Sequence, residues 1–184
     1  MRKCAVLAVV LAAAAALGAQ CGCGEAADVA RNHMSRGDAL LETVQKKYAV
    51  VSTKAARLIA DFSGGKNTGP AGVRARIDEI SALLDESGAA AGAASAQYEK
   101  VMSMKGVPGY VKCAALRNES ALGLEKANRY VRSMLGVIEL SSATGRAPDT
   151  RRLVAIGASL RKLSEDIDRL AGEANELQER EGLR

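Results

Sequence analysis

Apolar residues return three and four positions apart along most of this chain. Leu41, Val44, Tyr48, Val51, Ala55, Leu58 and Phe62 trace one such stripe, and Val73, Ile77, Ile80, Leu84, Ser87, Ala91, Ala94, Tyr98 and Val101 trace a second. The cleanest runs through Leu153, Ile156, Leu160, Leu163, Ile167, Leu170, Ala174 and Leu177. Between them a less regular stretch passes through Leu116, Leu124, Ala127, Val131, Met134 and Ile138. This period winds one apolar seam along each of four helices, inclined as helix-on-helix packing requires.

Proline marks the breaks. Pro70, Pro108 and Pro148 each stand in a glycine-containing connector, SGGKNTGP, KGVPG and TGRAP. Proline is tolerated in the first turn of a helix and disfavoured inside one, so the connectors divide the chain into helices over about 26–62, 70–104, 109–143 and 149–181. Short loops force antiparallel neighbours. The expected fold is all-α: an elongated, coiled-coil-like four-helix bundle, up-down-up-down, as one domain over residues 21–184. Helices of roughly 35 residues run about 50 Å each.

Composition supports the same picture. Among 184 residues there is no Trp and one Phe, so Ala, Leu, Val and Ile do the packing. Charge narrows the partners more than the fold. The 26 Lys and Arg face 21 Asp and Glu, and two of the basic residues, Arg2 and Lys3, belong to the N-terminal segment. The remaining excess is too mild for nucleic-acid binding.

That segment reads as a signal peptide over residues 1–20. Arg2 and Lys3 form a basic start, Ala5 through Leu17 an apolar core, and Gly18 and Ala19 a small-residue cleavage region. The apolar run falls short of the ~20 residues a permanent membrane span needs. Leu17-Gly18-Ala19-Gln20-Cys21 resembles a bacterial lipoprotein signal, with Gln20 where that family usually has Gly, Ala or Ser. The resemblance covers only this segment. It implies lipid on Cys21, which becomes the new N-terminus and holds the protein to a membrane at the cell envelope. Ordinary secretory cleavage after Gly18 or Ala19 is the alternative, leaving the protein secreted or periplasmic.

Cysteine count bears on this choice. Cys4 leaves with the leader, and Cys21, Cys23 and Cys113 remain, an odd number for an oxidising compartment. With Cys21 lipidated, Cys23 and Cys113 are a disulfide candidate, since helices 1 and 3 start at the same pole. The alternative is a buried, unpaired Cys113 acting as a small apolar residue.

Candidate chemistry is sparse, and no catalytic residues are expected. Ser63 to Gly69 lacks the Gly-Lys-Ser/Thr spacing of a phosphate loop and follows a helix instead of a strand. His33 is the only histidine, which excludes a multi-histidine zinc site and a hydrolytic triad of recognisable form. Cys21, Cys23, Met102, Met104 and Cys113 carry soft donors, but Met102 and Met104 point to different helix faces and suit core packing better. No metal and no cofactor are expected. Arg36-Gly37-Asp38 and Asn118-Glu119-Ser120 match short adhesion and glycosylation motifs by composition only, and Asp38 suits a local helix cap. The run GAAAGAASA, Gly88 to Ala96, reads as close packing or low complexity; its functional reading is a ligand cavity or hinge.

One charge pattern stands out. Lys66, Arg74, Arg76, Arg146, Arg151 and Arg152 gather at the pole away from the N-terminus, with Asp149 the only acid among those connector and first-turn stretches. Arginine in the opening turn of a helix adds positive charge where the helix dipole is already positive. The tip is therefore a candidate site for an anionic envelope component or an acidic protein partner, weighed against a merely solvated basic end. The sequence points to an exported, lipid-anchored, non-enzymatic helical spacer or interaction module. The alternative function is a small-ligand- or metal-binding bundle in the same compartment.

Overall fold

The computed structural model describes the backbone of residues 3–65 and 69–183, with side chains from Gly24 onward. Four helices follow in order: α1 Lys3–Ser63, α2 Gly69–Met102, α3 Pro108–Thr144 and α4 Thr150–Arg180. No strand occurs among the described residues. The fold is the expected all-α antiparallel four-helix bundle. Proline and glycine set its corners as anticipated. Pro108 opens α3, and Gly145 closes it at φ 65, a left-handed conformation that glycine adopts without a Cβ penalty. Asp149 caps α4, its side chain accepting a hydrogen bond from the Arg152 backbone N–H at 3.0 Å.

The first helix starts far earlier than residue 26. From Lys3 to Ser63 no proline interrupts the backbone ladder, and the Ala- and Leu-rich start favours helix. Asp38 consequently sits inside α1 and caps nothing. The cleavage region and Cys21 fall in the part of α1 whose side chains lie outside the described residues.

The core divides into two clusters. The proximal one joins Met34, Leu41, Val44, Tyr98, Val101, Tyr110 and Cys113 with Ile167, Ala174 and Leu177 of α4. The distal one is built from Val51, Leu58, Val73, Ile77, Ile80, Leu84, Val131, Leu135 and Ile138, with no fully buried residue from α4. A polar layer separates them, where buried Asn128 Nδ2 donates to Ser87 Oγ at 3.1 Å.

Helix neighbours explain the sequence patterns. The backbone of α3 closely approaches α1, α2 and α4, whereas α4 closely approaches α3 alone by backbone and meets the other helices only through side chains. Burial on several sides gives α3 its irregular spacing: Tyr110, Cys113, Ala114, Ala121, Leu124, Ala127, Val131, Leu135, Val137 and Ile138 do not lie on one stripe. α4 is the reverse case. It carries the cleanest stripe, yet only Ile167, Ala174 and Leu177 are fully buried; Leu153 and Leu160 pack partly buried against the distal cluster and Leu163 against the proximal one. Close approach of α4 to α3 is possible at Gly123, where a Cβ would lie 2.8 Å from Ile167 Cγ1.

Candidate functional site

The proximal half of the bundle holds a polar network that the sequence did not announce. Gly37 lets Tyr98 of α2 press against α1, since a Cβ there would sit 2.6 Å from the Tyr98 ring. Tyr98 is fully buried and its hydroxyl donates to Asp38 Oδ1 at 2.8 Å. Arg117 of α3 faces the same carboxylate oxygen at 3.5 Å and donates through Nη2 to Asn175 Oδ1 of α4 at 2.6 Å. Three helices thus meet at Asp38, and a fourth is reached through Arg117. Burial, reinforced by the Asp38 carboxylate, holds the Tyr98 phenol well above its ordinary range.

Beside this network lies a cavity of about 320 Å³ lined by Arg31, Met34, Asp38, Tyr110, Cys113 and Gln178, among others. Arg31 Nε donates to Tyr110 Oη at 3.4 Å across its rim. The Cys113 thiol is buried against the Ala174 carbonyl, 3.6 Å away. Burial pushes that thiol up, the direction opposite to activation of a nucleophile. Cys113 meets α1 at the level of Met34 and Asp38, roughly three turns beyond Cys23 at about 5.4 Å per turn. Pairing it with Cys23, whose side chain lies outside the described residues, requires α1 to unwind at its start.

The predicted basic tip is divided by the fold. Arg76 pairs with Asp61 across the α1–α2 interface, Nη1 to Oδ2 at 3.0 Å. Arg74 is exposed nearby on α2. Arg146, Arg151 and Arg152 are exposed on the α3–α4 side, and α2 and α4 do not pack together. Arg146 and Arg152 border a cavity of about 470 Å³ with Val137, Leu140 and Asp149. Lys66 lies outside the described residues. The five described residues therefore share a pole without sharing one pocket.

Other sequence candidates have local structural partners. His33 Nδ1 hydrogen-bonds Gln97 Oε1 at 2.8 Å, and Asn118 Oδ1 accepts from Ser95 Oγ at 2.6 Å. Met102 and Met104 pack against the proximal core. Among the described residues no group of three or more His, Cys, Asp or Glu is arranged to hold a metal ion. Of the GAAAGAASA run, Ala91 and Ala94 are buried, while a Cβ on Gly88 or Gly92 would meet nothing within 4 Å. The glycines are therefore not required by close packing.

The widest departure from the expected closed bundle is the seam between α1 and α4. These helices do not pack backbone to backbone, and α3 floors the groove between them. Two cavities of about 360 and 190 Å³ lie along it, both bordered by Tyr48 of α1 and Leu160 of α4. Ala55, Ile59, Val131 and Met134 line the larger one, making it mostly apolar. Burial raises the Tyr48 phenol above its ordinary range. The lining residues of the two cavities include no convergent set of reactive groups. Among the described residues no helix is long and apolar enough to cross a membrane. No protein-family model matches this chain, and neither a curated protein nor a solved structure shows significant similarity to it.

Proposed function

We propose that the protein is an exported, lipid-anchored, non-enzymatic component of the cell envelope that works as a helical interaction module. The observation carrying the interaction reading is the groove between α1 and α4, where Tyr48, Ile59, Met134 and Leu160 border a largely apolar cavity because α4 makes its close backbone approach to α3 and not to α1. An apolar groove between two helices is suited to a partner's apolar side chains. The N-terminal sequence supplies the tether: a basic start, an apolar run and Cys21 at the lipoprotein-like position. Exposed Arg74, Arg146, Arg151 and Arg152 favour an anionic surface on the partner.

Intact mass of the membrane-extracted mature protein tests the anchor. A diacylglycerol adduct on an N-terminal Cys21 is expected. A soluble product beginning at Ala19 or Gln20 would refute lipid anchoring and leave secretion. Replacing Arg74, Arg146, Arg151 and Arg152 with Gln tests the partner arm. Loss of retention on envelope fractions is expected, and unchanged retention would rule out the charged contact.

A further inference from the structure

We infer that the cavity beside Asp38, in the proximal half of the bundle, binds a short zwitterion of the size of a di- or tripeptide, its carboxylate held by Arg31 and Tyr110 and its ammonium by Asp38 and Gln178. This site is separate from the α1–α4 groove and from the anchor. The cavity holds about 320 Å³, inside the ~300–1,000 Å³ of small-molecule sites. Arg31, Met34, Ser35 and Asp38 stand at i, i+3, i+4 and i+7, so one face of α1 supplies a whole wall. Tyr110 and Cys113 of α3 supply a second, and Gln178 with Leu183 at the end of α4 a third. The chain reverses at Gly182, φ 63, to bring Leu183 there, and the Leu183 N–H donates to the Gln178 backbone carbonyl at 3.0 Å.

Unspent hydrogen-bonding capacity of both signs sets this cavity apart. Tyr110 is only 6 % exposed; its hydroxyl accepts from Arg31 Nε at 3.4 Å, and its own proton finds no acceptor among the described residues. Asp38 receives Tyr98 and Arg117 on the same oxygen, Oδ1, at 2.8 and 3.5 Å, and Oδ2 accepts no hydrogen bond among the described residues. Gln178 donates through Nε2 to the Leu183 carbonyl at 3.2 Å and leaves Oε1 open. Arg31 also meets Asp28 at 3.1 Å, but that pair is exposed, and exposed pairs contribute little, so the guanidinium is free to turn to a carboxylate that Tyr110 bonds as well. The Glu181 carboxylate lies against Gly109 in the first turn of α3, outside the lining of the cavity. A ligand with one charge leaves either the donors or the acceptors unanswered, whereas a zwitterion satisfies both. Spacing sets its length. Arg31 and Asp38 leave α1 about 10.5 Å apart along its axis, and three extended residues span about 10 Å. Met34, Cys113 and Leu183 give the cavity an apolar side for small side chains.

Titration calorimetry of the detergent-extracted full chain with trialanine tests this. Trialanine should bind, and N-acetyl-trialanine and trialanine amide, which each lack one charge, should bind roughly tenfold more weakly or worse. Arg31→Gln changes an exposed position and leaves the Asp38–Tyr98 contact alone. That variant should bind trialanine and its amide alike while still rejecting the acetylated peptide. Bound trialanine should also slow alkylation of Cys113, read by mass spectrometry of the proteolytic fragment that carries it. Absence of binding by both dialanine and trialanine overturns the proposal, as does equal binding of the blocked peptides. Binding that leaves Cys113 alkylation unchanged places the ligand elsewhere and overturns it too, and so does an Arg31→Gln chain that still prefers trialanine to its amide. None of these readouts depends on the Cys21 adduct or on retention by envelope fractions, so their failure leaves the proposed function standing.

Discussion

Replacing Gly37 with alanine sets two effects against one another, and the structure decides which wins. In an exposed helix interior the change is favourable by about 1 kcal/mol, because alanine loses less backbone freedom on folding. At Gly37 the new Cβ would lie 2.6 and 2.8 Å from two atoms of the Tyr98 ring. That ring has nowhere to go: Tyr98 is fully buried, and its hydroxyl is held by Asp38 at 2.8 Å. Overpacking of this kind costs about 1–3 kcal/mol, so the net effect is a loss of about 1 kcal/mol. In a chain of this length each such unit lowers the melting temperature by about 2–4 °C. Gly92→Ala on α2 is the control, since its Cβ meets nothing within 4 Å, and it should raise the melting temperature by a similar amount. Thermal unfolding followed by circular dichroism compares the two directly. In a Tyr98→Leu background Gly37→Ala should lose most of its penalty, because the clashing ring is gone. Equal stabilisation by Gly37→Ala and Gly92→Ala would show that α1 and α2 do not approach one another through Tyr98, and the proximal network would lose its basis.

Two further outcomes follow from the same geometry. Gly123→Ala places a Cβ 2.8 Å from Ile167 Cγ1, so α4 should exchange its amide hydrogens faster than α1 and α2; uniform exchange across the four helices would contradict the close α3–α4 contact. Stability should also fall as pH rises above about 9, near the unfolded-state values of Cys113 and then Tyr98. Both groups are raised in the folded chain, chiefly by burial, so the unfolded chain releases those protons first. The loss approaches about 1.4 kcal/mol per pH unit for each group, and denaturant unfolding of Cys113→Ala and Tyr98→Phe should show a shallower alkaline decline. An unchanged slope in both variants would place the effect elsewhere.

Helix number, the helix ends at the three connectors and the antiparallel order were readable from local chemistry, whereas the early start of α1 was not. Proline and glycine act within a few residues of themselves, and a three-and-four spacing reports that one face of a helix is apolar; neither needs a neighbour to be known. Pro108 at the start of α3 and Gly145 after its end illustrate this. The Ser87 position in the second stripe was readable too, but its partner Asn128 was not, because a hydrogen bond between helices depends on their relative height.

Which face met which helix was decided only by packing. The irregular α3 proved to be the central element, since a helix buried on several sides has no single stripe to display. The regular α4 proved to be the outer one, its single stripe turned to the core and its other faces to solvent, since amphipathicity states that one face is apolar without stating which helix meets it. Asp38 looked like a local cap and became the meeting point of Tyr98 and Arg117, contacts that join residues far apart in the chain. Of the basic residues assigned to one tip, Arg74 on α2 and Arg151 and Arg152 on α4 stand on helices whose backbones do not approach one another, and Arg76 was claimed by Asp61. Local sequence dictates what each helix can bury. The choice among the available neighbours is a property of the whole assembly, in which Gly37 and Gly123 permit close approach at two seams and the α1–α4 seam stays open.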